Sequence, residues 1–203
     1  MASDPIEAPG SVRPARRAAR GRDTEAMRRL LLVAAATLLA GCGGGDKADE
    51  PLPEAGGKLR LQSPAFHQRG DIPAKFSCDG ADVSPALAWR GVPPGARELA
   101  LVMEDPDAGG FVHWTVLGIG PGTSRVREGQ IPAGAVETEN SFGERGWGGP
   151  CPPEGDEPHR YVFALYALQR RLGLDRDASP DEVRAGLADA GLARGILTGR
   201  FGR

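Results

Sequence analysis

The chain has few aromatic residues and no excess of basic charge. Its composition therefore argues against some folds and some classes of binding partner. Only 5% of its 203 residues are aromatic, and 25 Lys and Arg face 27 Asp and Glu, for a formal net charge of -2. Proteins that grip a nucleic-acid backbone usually present a basic field, so nucleic-acid binding is not expected. The 30 glycines and 18 prolines favour a turn-rich chain over a helical bundle.

The sequence also lacks an apolar run long enough to span a bilayer. The apolar segment from Leu30 to Leu39 is far shorter than the roughly 20 residues that a transmembrane helix needs. It follows the basic start Met27-Arg28-Arg29 and ends in the small residues of Leu39-Ala40-Gly41-Cys42. This charged, apolar, small-residue order is that of a secretory signal, so a signal peptide is predicted over residues 27–41.

The Leu-Ala-Gly-Cys segment resembles the lipobox of bacterial lipoproteins, in which the cysteine is lipidated and becomes the mature N-terminus. It predicts lipidation of Cys42, by more than one acyl chain including palmitate-type chains, which is enough for stable membrane attachment. The expected location is the bacterial cell envelope, facing outside the cytoplasm. The alternatives are a conventional signal cleaved near Gly41 or a buried apolar helix.

Differences in composition divide the chain outside the predicted signal peptide into three segments. Residues 1–26 are rich in Arg, Ala and Pro without apolar periodicity, which predicts that translation begins at Met27; an extended signal or a disordered tail is the alternative. Residues 42–57 contain two glycine runs and predict a flexible, lipid-anchored linker. Residues 58–203 are expected to form one domain.

Within that domain, short strand-like segments predominate, and only one helix has a convincing start. Ser179-Pro180-Asp181-Glu182 reads as an N-cap, a proline at the first helical position and an acidic first turn. Val183, Leu187 and Leu192 continue an apolar pattern after it, and the helix is expected to pack on the sheet. Both faces of Tyr161–Leu168 are apolar, which predicts a central strand. The predicted strands are 59–61, 86–89, 99–103, 114–119 and 161–168.

Two cysteines, Cys78 and Cys151, remain after Cys42. An exported domain permits a disulfide between them. Two free thiols are the alternative, because sequence separation says nothing about the distance between the two side chains.

Asp105-Pro106-Asp107 follows directly on an apolar strand, and His113 opens the next one. If the backbone stays extended, the two carboxylates point to the same side, and one of their pKa values is expected to rise. A hairpin would return His113 beside them, where the carboxylates would favour its charged form. The alternatives are an ordinary turn and a structural histidine.

A loop dense in Gly and Pro runs from Gly143 to Pro153 and leads to His159 at the head of the apolar strand. Backbone N–H groups of such a loop can face a ligand without obstruction by side chains. The alternative is a plain surface loop.

Taken together, four motifs in this order resemble the phosphatidylethanolamine-binding protein family, also called Raf-kinase-inhibitor-like proteins, and within it the bacterial YbhB/YbcL branch. They are Asp105-Pro-Asp-Ala, His113-Trp, Gly148-Gly-Pro-Cys-Pro-Pro and His159-Arg-Tyr. Cys78-Asp-Gly80 and Ser84-Pro-Ala-Leu-Ala-Trp89 add to the likeness, which covers roughly residues 59–201.

The resemblance implies a mainly β, antiparallel β-sandwich-like fold with few short helices and a small cavity for phosphate-type anions, including phospholipid head groups. The cavity residues carried over are Asp105, Asp107, His113, Gly149, Pro150, His159 and Tyr161. One departure is Gly109, which stands where the family commonly has proline, so that part of the rim is expected to be more mobile. The C-terminal helix also departs from the family pattern, so partner contacts made there do not transfer.

The expected function is a non-enzymatic, lipid-anchored anion-binding protein without a cofactor or metal, whose protein partner the sequence does not give. One alternative is a hydrolase using His113 with Asp105 or Asp107, although no Gly-x-Ser-x-Gly motif occurs and Cys151 lacks an evident activating base. Another is a zinc site made of His113, His159 and the aspartates, and a third is an extracytoplasmic protein inhibitor or modulator.

Overall fold

The computed structural model describes residues 51–203, which form a mainly β fold. The strands and the helix of this part of the chain are, in order, β1 Gly57–Lys58, β2 Arg60–Gln62, β3 Leu87–Arg90, β4 Glu98–Asp105, β5 Phe111–Ile119, β6 Arg125–Val126, β7 Val136–Glu137, β8 His159–Leu168, α1 Pro180–Ala190 and β9 Gly191–Phe201. Single 3-10 turns lie at Ala74–Phe76 and Pro106–Ala108. No helix among these residues has the length and apolar content to cross a bilayer. Cys42 and the predicted signal peptide lie outside the described residues.

The strands form two sheets. A six-stranded sheet has the order β1-β9-β8-β4-β5-β7, and a three-stranded sheet has the order β2-β3-β6. Apart from the short parallel pair β1–β9, neighbouring strands run antiparallel. One apolar cluster fills the space between the sheets, and a second lies between the other face of the large sheet and α1.

Strand β8 lies inside the large sheet, between β4 and β9, as its apolar sequence predicts. Its side chains alternate between the two clusters: Phe163 and Leu165 face the small sheet, and Ala164 and Tyr166 face α1. A strand covered on both faces exposes neither face to solvent, so both faces can be apolar. This explains the continuous apolar run of β8.

Helix α1 begins as its sequence predicts. The Ser179 hydroxyl accepts a hydrogen bond from the Glu182 N–H, and the Glu182 carboxylate accepts one from the Ser179 N–H, which completes a capping box. Val183 and Leu187 are buried against the sheet. The prediction that Leu192 continues the helix is wrong, because the helix ends at Ala190 and Leu192 belongs to β9.

The N-terminal side of the domain begins to pack before residue 58, inside the segment predicted as linker. Leu52 is 7% exposed and belongs to the cluster beneath α1. The carbonyl of Pro53 accepts hydrogen bonds from the Tyr166 hydroxyl (2.7 Å) and from Arg194 (2.9 Å). Gly57 and Lys58 then pair with β9. Residues 52–57 are therefore part of the folded domain.

Candidate functional site

The β4–β5 hairpin brings Asp105 and His113 to one end of the large sheet. Met103 pairs with Trp114 and Glu104 pairs with Val112, so His113 is an extra residue in β5. Such a bulge breaks the alternation of side chains and lets His113 and Trp114 turn toward the same face of the sheet. His113 thereby meets Tyr161 of β8, with ring centroids 5.2 Å apart and the rings edge to face.

Asp105 ends β4 and is 2% exposed. Its Oδ1 accepts hydrogen bonds from the N–H groups of Asp107 (2.9 Å) and Ala108 (3.1 Å), which fixes the 3-10 turn that follows the strand. Its Oδ2 lies 2.7 Å from Nδ1 of His159. A carboxylate accepts, so His159 donates from Nδ1, and Nε2 is its second ring nitrogen. Asp105 therefore orients His159.

Asp107 points away from Asp105, contrary to the prediction from an extended backbone. The 3-10 turn rotates Asp107 toward Arg160, whose backbone N–H (2.7 Å) and Nε (3.0 Å) donate to Oδ2 of Asp107. The hydrogen bonds from the Arg160 side chain, together with its backbone N–H and its charge, lower the pKa of Asp107 below its usual value. Asp107 is thus an ionised partner of Arg160, and the expected rise of a pKa in a carboxylate pair is wrong for Asp107.

Gly109 closes this turn in the left-handed conformation, at φ 66°. Proline has a fixed φ near -65° and cannot take this conformation. A proline could therefore not replace Gly109 with this backbone. The expected mobility of Gly109 stays a prediction.

His113 is buried, with 3% of its surface exposed, and its Nδ1 lies 2.8 Å from the carbonyl oxygen of Gly148. Because a carbonyl only accepts, Nδ1 carries the proton of the neutral ring, and Nε2 is the second ring nitrogen. Burial lowers the pKa of His113; the carbonyls of Gly148 and Gly149 and the charges of Asp105 and Asp82 oppose this shift but do not cancel it. The Asp105 carboxylate thus favours the charged form of His113 as predicted, but desolvation is the larger effect and the net pKa is lowered.

Tyr161 lies beside His113 and is fully buried. Its hydroxyl has no hydrogen-bond partner among the described residues; the Asp105 carboxyl and the Cys151 backbone lie near without adequate hydrogen-bond geometry. Burial, followed by the charge of Asp105, raises the pKa of Tyr161, which keeps the hydroxyl protonated. A buried hydroxyl ordinarily finds a partner, so this one is an exception among the described residues.

The Gly- and Pro-rich loop packs beside His113, and the N–H groups of its two central glycines are bonded within the protein. The Gly148 N–H donates to the carbonyl of His113 (3.0 Å), and the Gly149 N–H donates to Oδ1 of Asp82 (2.9 Å). Gly149 and Pro150 are buried. The N–H groups of Gly148 and Gly149 therefore have partners within the protein, and the assignment of Gly149 and Pro150 to a ligand site stays a prediction.

A disulfide joins Cys78 and Cys151, whose Cα atoms are 5.5 Å apart. The Cys78 N–H also donates to the carbonyl of Pro150 (3.2 Å). The disulfide thus attaches the Gly-Pro loop to the segment after the first 3-10 turn and fixes the pocket wall.

A cleft of about 510 Å³ extends from the His159 side of this cluster. Its lining is polar and carries charges of both signs: Asp107, Asp156, Glu157, Pro158, His159, Arg160 and Arg200. Between residues 51 and 203, no group of three or more His, Cys, Asp or Glu side chains is placed to hold a metal ion.

Sequence reasoning missed four residues of the site. Arg160 holds Asp107, Asp82 holds the loop, and the rings of Phe111 and Phe142 contact His113. The sequence could have indicated Arg160, since it lies between two predicted pocket residues. No such indication existed for Asp82 and Phe142, because the contacts join segments distant in sequence.

Comparisons with known proteins agree with this fold. The family model described as phosphatidylethanolamine-binding protein matches residues 62–202. A Mycobacterium tuberculosis protein named "Putative lipoprotein LppC" is 41% identical over 187 residues, covering 83% of this chain and 92% of that protein.

The crystal structure of Escherichia coli YbcL, described as a member of the mammalian PEBP family, superposes with a TM-score of 0.69 at 30% identity and covers 72% of this chain and 99% of that one. A PEBP homologue from Chlamydia trachomatis, CT736, gives a TM-score of 0.67 at 34% identity over 73% of this chain and 99% of that one. The resemblance in the sequence and the mainly β fold that it implies are thereby confirmed, and the chain belongs to the phosphatidylethanolamine-binding protein family.

Proposed function

We propose that this chain is a lipid-anchored, exported binding protein whose pocket takes a small phosphate-type anion, either free phosphate or the phosphate of a head group. The observation that carries the proposal is the buried Tyr161 hydroxyl, which has no partner among residues 51–203. It lies beside His113 and near the Asp105 carboxylate that orients His159. An anion oxygen would accept from this hydroxyl and, when the His159 ring carries protons on both nitrogens, from Nε2 of His159. It would thereby satisfy a polar group whose burial alone is unfavourable.

Protonation of His113 would add a third donor. In the neutral ring Nε2 is an acceptor and faces an anion unfavourably, whereas in the charged ring it donates. Because burial lowers the pKa of His113 in the free protein, affinity should rise as pH falls through and below the usual histidine range. Bound anion would in turn favour the charged ring.

The affinity of a minimal ligand should be modest. A small ligand gains at best about 1.5 kcal/mol per non-hydrogen atom, which limits phosphate to roughly micromolar dissociation constants. Calorimetric titration of a form comprising residues 44–203 with inorganic phosphate and with phosphoethanolamine tests the proposal. We expect saturable binding that His159→Gln weakens roughly tenfold, since it removes a charge-assisted hydrogen bond.

His67→Gln is the matched control, because His67 is exposed and is not among the residues that form the pocket. Absence of saturable binding in the parent form, or equal binding by the His159 variant, would contradict the anion pocket. Release of phosphate from the phosphoethanolamine during titration would instead favour the hydrolase alternative.

The lipid anchor rests on Cys42 and on the relative from Mycobacterium tuberculosis. That match covers 83% of this chain, so it extends upstream of Leu39 even if it runs to Arg203, and it includes the Leu39–Cys42 segment. Replacement of Cys42 by Ser in the full chain should remove the acyl chains from the mature protein and move it from the membrane to the soluble fraction. Unchanged mature mass and unchanged fractionation would contradict the anchor.

A further inference from the structure

A second cleft, of about 320 Å³, lies apart from the residues of the candidate anion site. We call it the tryptophan cleft, because Trp147 forms part of its wall. Its polar lining includes Asp82, Ser84, Glu137 and Arg145, and none of these was assigned to the anion site. The proposed function therefore leaves the tryptophan cleft without a role.

Asp82 contributes a carboxylate that is fixed at one oxygen. Its Oδ1 accepts hydrogen bonds from Nε1 of Trp147 (3.0 Å) and from the Gly149 N–H (2.9 Å). Its Oδ2 has no hydrogen-bond partner among the described residues. Because Asp82 is an exposed residue, Oδ2 and the negative charge remain available to a ligand.

Glu137 is held in the same way. Its Oε1 accepts a hydrogen bond from Nε1 of Trp114 at 2.7 Å, and its Oε2 has no partner within residues 51–203. A Cβ at position 146 would lie 3.1 Å from Oε2, so Gly146 keeps the space beside this oxygen open. The tryptophan cleft thus contains two carboxylates, each fixed by an indole N–H and each with one unbonded oxygen.

A nearly buried hydroxyl adds a third acceptor. Ser84 lines the cleft and is 5% exposed, and its hydroxyl forms no hydrogen bond with any described residue. Among these residues the Tyr161 hydroxyl is the one side-chain polar atom that is fully enclosed without a partner, so the Ser84 hydroxyl keeps access to the cleft. Polar groups this deeply buried ordinarily have a partner, which indicates that one comes from outside the chain.

The remaining polar groups leave the cleft negatively charged. Arg145 forms an ion pair with the exposed carboxylate of Asp177, which neutralises its charge. The charges of Asp82 and Glu137 have no such counterpart within the cleft. The half-buried indole of Trp147 adds an aromatic surface, and indole is the aromatic group that attracts cations most strongly.

We propose that the tryptophan cleft binds a small organic cation with a primary ammonium group. An ammonium has three N–H donors and no acceptor, which matches the three acceptors Asp82, Glu137 and Ser84. Two of its hydrogen bonds would be formed between opposite charges, which are the strong ones. The volume of the cleft suits a small molecule, whereas a macromolecule would need a far larger surface.

The indole N–H groups provide a direct test, because the chain has three tryptophans. Trp147 and Trp114 donate to the two cleft carboxylates. Trp89 donates instead to the carbonyl of Thr123 at 2.8 Å and serves as an internal reference. The three N–H signals are followed by NMR during titration of residues 44–203, which form one compact unit.

We expect butylammonium chloride to shift the signals of Trp147 and Trp114 saturably and to leave that of Trp89 unchanged. The dissociation constant should be on the order of millimolar, since the ligand has few atoms. The neutral analogue 1-butanol has the same butyl group and should shift none of the three. Added sodium chloride should weaken the binding of butylammonium, because salt screens exposed charges.

Three variants make the result specific. Glu137→Gln keeps an acceptor for the Trp114 indole but removes the charge, and it should weaken binding roughly tenfold. Ser84→Ala removes the third acceptor and should weaken binding severalfold. Glu144→Gln removes an exposed carboxylate that does not line the cleft, and it should bind as the parent form does. An unchanged Trp89 signal in each variant shows that the fold is retained.

Several outcomes would overturn the inference: no saturable shift with butylammonium, equal shifts with 1-butanol, or full affinity in Glu137→Gln. An equal loss of affinity in Glu144→Gln would reduce the effect to general charge attraction and reject the cleft. Saturable shifts with calcium chloride alone would assign the cleft to a metal ion and reject the organic cation. Phosphate binding is measured separately, so the inference and the proposed function stand or fall independently.

Discussion

Two buried tyrosines of β8 illustrate how differently one residue type is used. Tyr166 faces α1 and donates from its hydroxyl to the carbonyl of Pro53 at 2.7 Å. Tyr161 faces the opposite side of the sheet, and its hydroxyl has no partner within the described residues. The first hydroxyl contributes to folding, whereas the second is a cost to folding that a ligand can offset.

Substitution of each tyrosine by phenylalanine should therefore have opposite consequences. Tyr166→Phe removes a hydrogen bond and should lower the free energy of unfolding by about 1 kcal/mol, with anion affinity unchanged. Tyr161→Phe removes an unpartnered hydroxyl and should leave stability equal or slightly higher, while it weakens anion binding severalfold. Urea denaturation and calorimetric titration of both variants measure the two effects. A loss of stability in Tyr161→Phe comparable to that in Tyr166→Phe would contradict this account.

The buried imidazole of His113 should make stability depend on pH. Its pKa is lowered in the folded state, so the unfolded chain binds the proton more readily. The neutral ring contributes fully to the free energy of unfolding at pH values above its pKa in the unfolded chain, about 6.5. This contribution is lost as pH falls toward the lower pKa of the folded state, at up to about 1.4 kcal/mol per pH unit. Denaturation measured between pH 7.5 and 5 should show this decline.

His113→Gln should reduce this fall in stability between pH 7.5 and pH 5, whatever its effect on stability at pH 7.5. His67→Gln, at an exposed position, should retain the decline and serves as the control. The pH dependence would be assigned to other groups if the His113 variant declined as steeply as the parent form.

Among the elements, helix α1 and strand β9 differ in how well the sequence predicts them. The start of α1 was predictable because a capping box is local, involving only Ser179 to Glu182. Strand β9 follows without a connecting loop, since α1 ends at Ala190 and β9 begins at Gly191. Three glycines inside β9 weaken its strand signal. Its pairing with β8 is a tertiary effect that no local pattern reports.

Loss of the capping box should destabilise α1 and, through it, the apolar cluster beneath it. Ser179→Ala removes the hydroxyl that accepts from the Glu182 N–H and should lower the free energy of unfolding by about 1 kcal/mol. Ser179→Asp restores an acceptor at the N-cap and should recover most of that loss. Urea denaturation provides the measurement, and equal stability of the alanine and aspartate variants would contradict a capping role.

For the whole molecule, the residue types of the site could be predicted, but their roles could not. The hairpin and the strand head placed Asp105, His113 and Tyr161 together, as the motifs suggested. The 3-10 turn that rotates Asp107 to Arg160 and the bulge at His113 depend on backbone conformations that residue spacing does not reveal. The burial that lowers the pKa of His113 arises only when the loop, the hairpin and β8 assemble.

The short strand β1 has a consequence for self-association. Strand β9 is eleven residues long, and one of its sides pairs with β8. Its other side is covered in two places. Gly57 to Leu59 bond to it near Arg194, and residues 69–72 bond to it at Thr198 and Arg200. An uncovered strand of this length would offer a row of free N–H and C=O groups to a second molecule.

We therefore expect the segment through residue 58 to guard β9 against edge-to-edge pairing with a second molecule. A form that starts at Leu59 should expose half of that row and form concentration-dependent dimers or larger aggregates, whereas a form that starts at Gly44 should stay monomeric. Light scattering during size-exclusion chromatography distinguishes the two, and identical masses would show that the guard is dispensable. A strand of only two residues would then separate a dispersed population from a precipitating one.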